Sequence, residues 1–216
     1  MKQLEQYRLV LFDMDGTLYY KRPMQMRMAG KLLTNVCANP KGFWELLTVL
    51  KFRRLREHWT EKEDVDNNIY ALLAEQMKCS PDEIREVIEK WIHEIPLQVL
   101  AKSCDKKMIA KMYELQKKGI AVAIYSDYPV EAKQKVLGMA GIRGFYGGQK
   151  EIGCLKPAPD GIRFIMKQYD IENASEVLMI GDRMCKDGQA AINAGADYLI
   201  FSQYALIRKC QWCKMN

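Results

Sequence analysis

The chain has 216 residues and a net charge of +6, and 49% of its residues are hydrophobic, which is enough to bury the core of one domain or of one domain with an insertion. It has no run of about 18 uncharged apolar residues, and Lys2, Glu5 and Arg8 interrupt its first segment, so we expect neither a membrane span nor a secretory signal. Seven cysteines without regular spacing indicate reduced thiols and a cytoplasmic protein. The pair Cys210 and Cys213 cannot by itself complete a four-ligand zinc site, and its role stays open.

Four short apolar runs predict buried strands, at 8–12, 120–125, 177–180 and 198–201. Four segments with helical periodicity lie between or after them, at 105–118, 129–140, 159–169 and 185–194. Strands that alternate with helices predict a parallel sheet covered on both faces. The fold class is therefore α/β, with a Rossmann-like doubly wound sheet.

The segment 20–102 contains no convincing strand. It carries amphipathic periodicity at 42–58 and 81–93, and Thr60-x-x-Glu63 and Ser80-x-x-Glu83 are two capping boxes, each of which predicts the start of a helix. We therefore expect an all-helical domain at 20–102, here called the helical insertion. The core domain would be formed by 1–19 and 103–216.

The first predicted strand ends in Asp13-Met-Asp15-Gly-Thr17. Ligands of open parallel sheets bind at the carboxyl ends of the strands, so both carboxylates would lie at one edge of the sheet. Two carboxylates with a divalent ion can divide nucleophilic and acid–base work. An ordinary turn is the alternative, because Asp-Gly steps favour turns.

The other predicted strands end in polar groups as well. Ser126 and Asp127 precede a helix start, where a hydroxyl and free N–H groups suit a phosphate, or form an ordinary N-cap. Lys156 lies in a loop with two prolines, and its charge would offset that of nearby carboxylates. Asp182 and Asp187 follow the third predicted strand, and such oxygen ligands suit Mg²⁺, although helix capping is an alternative.

Taken together, these motifs occur in one order: Asp13-x-Asp15-x-Thr17, Ser126, Lys156 before a proline, and Gly181-Asp182 with Asp187. This combination resembles the haloacid dehalogenase-like (HAD) hydrolase superfamily over residues 8–201. The sequence after Asp182 is similar to the phosphoglycolate-phosphatase-type branch. The helical insertion stands where that family has its first-type cap domain.

The resemblance implies a Mg²⁺-dependent phosphatase that hydrolyses a small-molecule phosphate monoester through an aspartyl-phosphate. Asp13 would be the nucleophile, and Asp15 would protonate the leaving alcohol and then activate water. Ser126 and Lys156 would bind the phosphoryl oxygens, with Asp127 beside them. The second acid, Asp15, argues against dehalogenation, because the family's dehalogenases lack it and a halide needs no proton.

The resemblance also implies a metal site and its support. The side chains of Asp13 and Asp182 and the backbone carbonyl of Asp15 would bind Mg²⁺. Asp187 would hold Lys156 or a metal-bound water. A carboxylate that attacks a phosphate dianion needs such cations to reduce repulsion.

Residues 20–60 contain nine Lys or Arg and two Glu, a local net charge of +7. Arg53, Arg54 or Arg56 would face the site and select an acidic or multiply phosphorylated substrate; a solvated helix face is the alternative. We expect a small phosphorylated metabolite as the binding partner and no association with a membrane. We expect the protein to be a monomer or a homodimer. Two alternative functions are a phosphosugar mutase of the same fold and a basic nucleic-acid-binding protein that retains the fold without catalysis.

Overall fold

The structure is a computed structural model, and it describes residues 4–202. Five parallel strands form one sheet in the order β3-β2-β1-β4-β5. Their bounds are Leu9–Phe12 (β1), Ala121–Ser126 (β2), Arg143–Tyr146 (β3), Val177–Gly181 (β4) and Asp197–Ile200 (β5). All four predicted strands are confirmed to within one residue at each end.

The edge strand β3 was not predicted from the sequence. Its four residues, Arg143-Gly-Phe-Tyr146, contain one buried apolar side chain, that of Phe145. Its sequence therefore lacks the apolar run by which the other strands, including the second edge strand β5, were recognised.

Helices cover both faces of the sheet, as the doubly wound class requires. They are α6 (Lys106–Lys117), α7 (Glu131–Leu137), α8 (Asp160–Gln168) and α9 (Gln189–Ala194), with a π-helical turn at Met184–Gly188 before α9. Alternate residues of β1 face opposite sides: Val10 and Phe12 pack in the cluster of α6, whereas Leu9 and Leu11 pack in the cluster of α8. The predicted α/β fold is thus confirmed.

The helical insertion contains α1 (Lys21–Ala38), α2 (Gly42–His58), α3 (Val65–Met77), α4 (Pro81–Ile88), a π-helical turn (Glu89–Glu94) and α5 (Leu97–Leu100). No strand lies between residues 20 and 102 of the described chain. The helices enclose a core of their own, in which Phe52, Ile69, Leu73 and Ile88 are fully buried. The division at residues 20 and 102 stays a prediction, supported by an isolated bridge between Tyr19 and Cys104.

The two predicted capping boxes have different outcomes. Ser80 accepts from the backbone N–H of Glu83, whose side chain accepts from the N–H of Ser80, so this box opens α4 as predicted. The prediction at Thr60 was wrong, since α3 begins at Val65 without a side-chain cap. The N–H of Glu63 instead donates to the carbonyl of Gly153 (2.7 Å), and this bond ties the loop to the core.

No helix among residues 4–202 is long and apolar enough to cross a membrane. The cysteines of this part of the chain are free thiols. The tail pair Cys210 and Cys213 lies outside the described residues.

Candidate active site

Asp13 lies at the carboxyl end of β1 and is buried. Its backbone N–H continues the ladder to the carbonyl of Ile180 (2.8 Å), so its position is set by the sheet. Its carboxylate accepts from the hydroxyl of Thr17 (3.2 Å) through Oδ2. Gly16 has a φ of +105°, and a Cβ there would lie 2.2 Å from Oδ2 of Asp182. The turn after Asp13 therefore needs glycine to approach Asp182 closely.

Lys156 contacts two carboxylates, one at the end of β1 and one in the π-helical turn after β4. Its ammonium group lies 2.6 Å from Oδ1 of Asp13 and 2.6 Å from Oδ1 of Asp187. The side chain is 1% exposed, so this charge is held by the two carboxylates. Burial lowers its pKa, but Asp13 and Asp187 outweigh that effect and raise it well above the ordinary value. The carbonyl of Lys156 accepts from the ammonium group of Lys186 (2.9 Å), which fixes the loop.

Asp182 lies at the end of β4 and has buried carboxylate oxygens that accept no hydrogen bond from residues 4–202. Oxygens of Asp13, Asp182 and Asp187 lie within 4.8 Å of one another. Burial, opposed by Lys156 and reinforced by the neighbouring carboxylates, raises the pKa of Asp13 to about 8. The nearest cation to Asp182 is the guanidinium of Arg183, 3.9 Å from Oδ1, which is too far for a hydrogen bond. A buried carboxylate that accepts no hydrogen bond is unfavourable, and clustered oxygen ligands suit a hard divalent cation. The donor set therefore fits Mg²⁺.

Asp15 has basic and hydroxyl partners. Oδ1 accepts from the ammonium group of Lys133 (2.6 Å) and from the hydroxyl of Tyr19, and Oδ2 accepts from Ser126 (3.4 Å). Burial raises the pKa of Asp15, but Lys133 and Tyr19 outweigh it, so the pKa falls to about 2. Asp15 is therefore a carboxylate in this structure.

The sequence analysis missed Lys133 and Tyr19. Lys133 lies on α7 and is 7% exposed. It is one of two lysines in this short helix, and nothing in the local sequence indicates which of them has a buried partner. Tyr19 stands four residues after Asp15 in an apolar run and is indistinguishable there from a core residue.

The two polar residues predicted after β2, Ser126 and Asp127, both have partners in the structure. Ser126 is buried, and its hydroxyl donates to Asp15 and accepts from the N–H of Tyr128 (3.1 Å). The carboxylate of Asp127 accepts from the backbone N–H of Lys156 (2.9 Å), so it holds the lysine loop. Helix α7 begins at Glu131, two residues after the expected start.

A cleft of about 240 Å³ lies between this edge of the sheet and the helical insertion. Its core wall includes Asp13, Asp15, Asp127, Tyr128, Lys133 and Arg183, and its other wall includes Lys21, Met24, Gln25, Arg53, Glu57, Ile92 and Pro96. The predicted nucleophile and the second acid thus open into one space.

Of the three predicted arginines, Arg53 lines the cleft, whereas Arg54 is exposed and is not among the lining residues. Arg56 does not line it either: its guanidinium is buried and donates to the carbonyl of Asp127 (2.6 Å) and to the hydroxyl of Tyr146 (2.8 Å). It also pairs with Asp66. Arg56 therefore joins the helical insertion to the core, and the expectation that it faces the substrate is corrected.

A second connection joins α2 to the end of β4. The guanidinium of Arg183 lies 2.7 Å from the carboxylate of Glu57, and the ammonium group of Lys186 donates to the carbonyl of Glu57 (2.7 Å). Arg183 directly follows Asp182 and Lys186 directly precedes Asp187, so this connection lies beside the carboxylate cluster.

Structural comparison finds several hydrolases with this architecture. A 2-haloacid dehalogenase from Pseudomonas syringae pv. Tomato has 18% sequence identity and a TM-score of 0.61, covering 90% of this chain and 86% of that one. A predicted phosphoglycolate phosphatase from Haemophilus somnus has 18% identity and a TM-score of 0.55, covering 92% and 86%. The HAD-hydrolase YfnB from Bacillus subtilis, in a structure bound to magnesium, has 16% identity and a TM-score of 0.59, covering 90% and 88%.

At these identities the likeness shows the fold, and a search of curated proteins found no match. The family follows from the sequence. The model of the haloacid dehalogenase-like hydrolases matches residues 7–195, which span all four motifs and the helical insertion. The chain belongs to the haloacid dehalogenase-like hydrolase family.

Proposed function

We propose that this hydrolase is a Mg²⁺-dependent phosphatase of small phosphate monoesters and that Asp13 is its nucleophile. The observation that carries the proposal is the arrangement around Asp13. One of its oxygens is held by Lys156 and the other by Thr17. A carboxylate oxygen of Asp182 lies within 4.8 Å, and Asp15 lines the same cleft. This arrangement suits a carboxylate that attacks phosphorus while a second one handles protons.

In the first step an oxygen of Asp13 forms a bond to phosphorus, and the bond from phosphorus to the alcohol oxygen breaks. Asp15 gives its proton to that oxygen. In the second step Asp15 removes a proton from water, whose oxygen forms a bond to phosphorus. The bond from phosphorus to the oxygen of Asp13 breaks, and inorganic phosphate is released. Asp13 is then a carboxylate again, so atoms and charges balance over the cycle.

The surroundings of Asp15 fit both of its roles. Lys133 and Tyr19 hold it as the carboxylate, which is the form that accepts a proton from water. A phosphate dianion in the cleft places negative charge beside it and raises its pKa, which favours the proton-donating form in the first step.

Phosphate binding falls to Lys156 and Ser126. The lysine ammonium already lies against Asp13, and Asp187 holds it from the opposite side (2.6 Å). A hydroxyl and an ammonium group at one strand edge provide donors for phosphoryl oxygens. We assign Asp187 to positioning Lys156.

Mg²⁺ would be held by the side chains of Asp13 and Asp182 and the backbone carbonyl of Asp15. When bound, it would reduce the repulsion between the attacking carboxylate and the phosphate. The buried oxygens of Asp182 that accept no hydrogen bond from described residues support this assignment.

A dehalogenase is the competing function, since one structural neighbour is named as such. Asp15 disfavours it, because halide release needs no proton donor. Here Asp15 is held toward the cleft by Lys133, Tyr19 and Ser126.

The test is a screen of phosphate monoesters and 2-haloacids with and without Mg²⁺. We expect metal-dependent phosphate release and at least about 10³-fold lower turnover in Asp13→Asn, because the nucleophile is removed. The exposed Asp170→Asn is the matched control and should keep full activity. Turnover that survives in Asp13→Asn, or halide release instead of phosphate release, would contradict the proposal.

A further inference from the structure

We propose that the substrate carries a second anionic group on its alcohol part and that Lys21 and Arg53 bind this group. The inference rests on the proposed function and adds a substrate class to it. A carboxylate or a second phosphate on a small carbon skeleton has the required chemistry.

Lys21 and Arg53 differ from the other cations of the cleft in their partners. Lys133 pairs with Asp15, and Arg183 pairs with Glu57. Lys21 and Arg53 are half-buried in the cleft wall, yet neither forms a hydrogen bond or an ion pair with another residue in 4–202. A cation that loses part of its hydration without gaining a partner is in an unfavourable environment. An anion that enters the cleft would therefore interact favourably with both Lys21 and Arg53.

The carboxylates of the cleft wall do not supply that anion, because each already has a basic or N–H partner. Asp13 lies against Lys156, Asp15 against Lys133, and Glu57 against Arg183. Asp127 accepts from the N–H of Lys156. Lys21 acts at longer range on Asp15, Glu57 and Asp182. Within residues 4–202, however, no hydrogen bond or ion pair occupies the donors of Lys21 or Arg53, so these donors are available to a ligand.

The two cations lie on different helices of the insertion. Lys21 is the first residue of α1, directly after the loop that carries Tyr19, and its charge opposes the rise in the pKa of Asp182. Arg53 lies on α2, and its charge acts on the phenol of Tyr128 at the end of β2. A leaving group attached to a phosphate at Asp13 would extend between them.

The remaining wall limits the size and character of the substrate. Met24, Ile92, Pro96 and the ring of Tyr128 supply apolar surface. In a cleft of about 240 Å³, this surface suits a short carbon skeleton that presents its charge to Lys21 and Arg53.

The first experiment measures kcat/KM for three phosphate esters of similar size: one of a simple alcohol, one of a hydroxy acid, and one of a diol that carries a second phosphate. Arg53→Met and Lys21→Met keep the aliphatic part of the side chain and remove the charge. The preference for the charged esters over the simple ester should fall about tenfold in each variant. Arg54→Met removes the same charge one residue away from the cleft and should leave the preference unchanged.

Equal losses for all three esters, or the same change in Arg54→Met, would overturn the inference and leave the phosphatase proposal intact. The two charged esters distinguish a carboxylate from a second phosphate.

The second experiment measures binding without turnover, so that the two proposals can fail separately. Calorimetry would compare phosphonoacetate, which carries a carboxylate, with methylphosphonate in the presence of Mg²⁺. We expect the wild-type protein and Arg54→Met to bind phosphonoacetate about tenfold more tightly, and Arg53→Met to lose this difference. Equal affinity of the wild-type protein for the two phosphonates would overturn the inference even if the protein proves to be a phosphatase.

Discussion

The sheet edge and the helical insertion build opposite walls of the cleft in different ways. At the sheet edge, charged groups from separate strand ends are buried and paired, as Lys156 is with Asp13 and Asp187. The insertion contributes single side chains from the faces of several helices, of which Lys21 and Arg53 lack such partners. Paired charges therefore fix the groups at the sheet edge, whereas no such pair holds Lys21 or Arg53 within residues 4–202.

The physical cause is the way each region fixes its side chains. In a parallel sheet the register between strands places residues at the same edge, whatever their distance in the sequence. Phe12 is aligned with Ile124 on one side and Ile180 on the other, so Asp13 falls level with the ends of β2 and β4. A helix aims side chains in all directions, and its packing decides which of them reach the cleft.

The largest effect would come from the core wall. We expect Asp15→Asn to lower turnover of an alkyl phosphate by about 10³-fold, because the leaving alkoxide then lacks a proton donor. Turnover of an aryl phosphate should fall less in this variant, since a phenolate leaves without a proton. Rates for an alkyl and a nitrophenyl ester would measure this difference. Equal losses would show that Asp15 does not protonate the leaving group.

The next largest effect is expected at Arg56, which connects the helical insertion to the sheet edge. Arg56→Met would leave the carboxylate of Asp66 and the carbonyl of Asp127 without their buried partner, so we expect a loss of about 3 kcal/mol in the free energy of unfolding. Urea denaturation would measure it. Arg54→Met, on the exposed face of the same helix, should change stability by less than about 0.5 kcal/mol. Similar values for both variants would contradict the role of Arg56.

The two histidines of the insertion provide a pH test. Burial, together with Lys133 and Arg56, lowers the pKa of His93 from 6.5 to about 4. A lowered pKa in the folded state means that stability present above pH 6.5 is lost as the pH falls toward 4. His93→Gln should therefore reduce the acid-induced loss of stability by on the order of 2 kcal/mol.

Thermal unfolding at a series of pH values would measure this effect. His58 is exposed, and His58→Gln is the matched control that should follow the wild-type profile. A His93→Gln profile parallel to that of the wild-type protein would refute the assignment.

The smallest effect concerns the two capping boxes. Ser80→Ala should lower stability by about 1 kcal/mol, because it removes the cap of α4. Thr60→Ala should have almost no effect, since no helix begins there. Unfolding curves of the two variants would give the change in the free energy of unfolding for each. Equal losses would mean that the cap at Ser80 contributes no stability.

Much of the core could be predicted because its signals are local. Apolar runs locate β1, β2, β4 and β5, and the polar residues directly after them supply the carboxylates, the hydroxyl and the metal-binding candidates. The edge strand β3 could not be predicted, because Arg143-Gly-Phe-Tyr146 contains no apolar run, unlike the other edge strand, β5.

The sequence by itself determined the alternation of strands and helices, the place of the helical insertion and the order of the motifs, because each of these depends on residues adjacent in the chain. Only the tertiary structure decided that Lys133 and Tyr19 hold Asp15, that Arg56 joins the two regions and that Arg53 faces the cleft. Neighbouring arginines on one helix have the same local sequence signal. Their different environments arise only when the helix packs against the sheet, which buries one arginine, exposes another and places the third at the cleft.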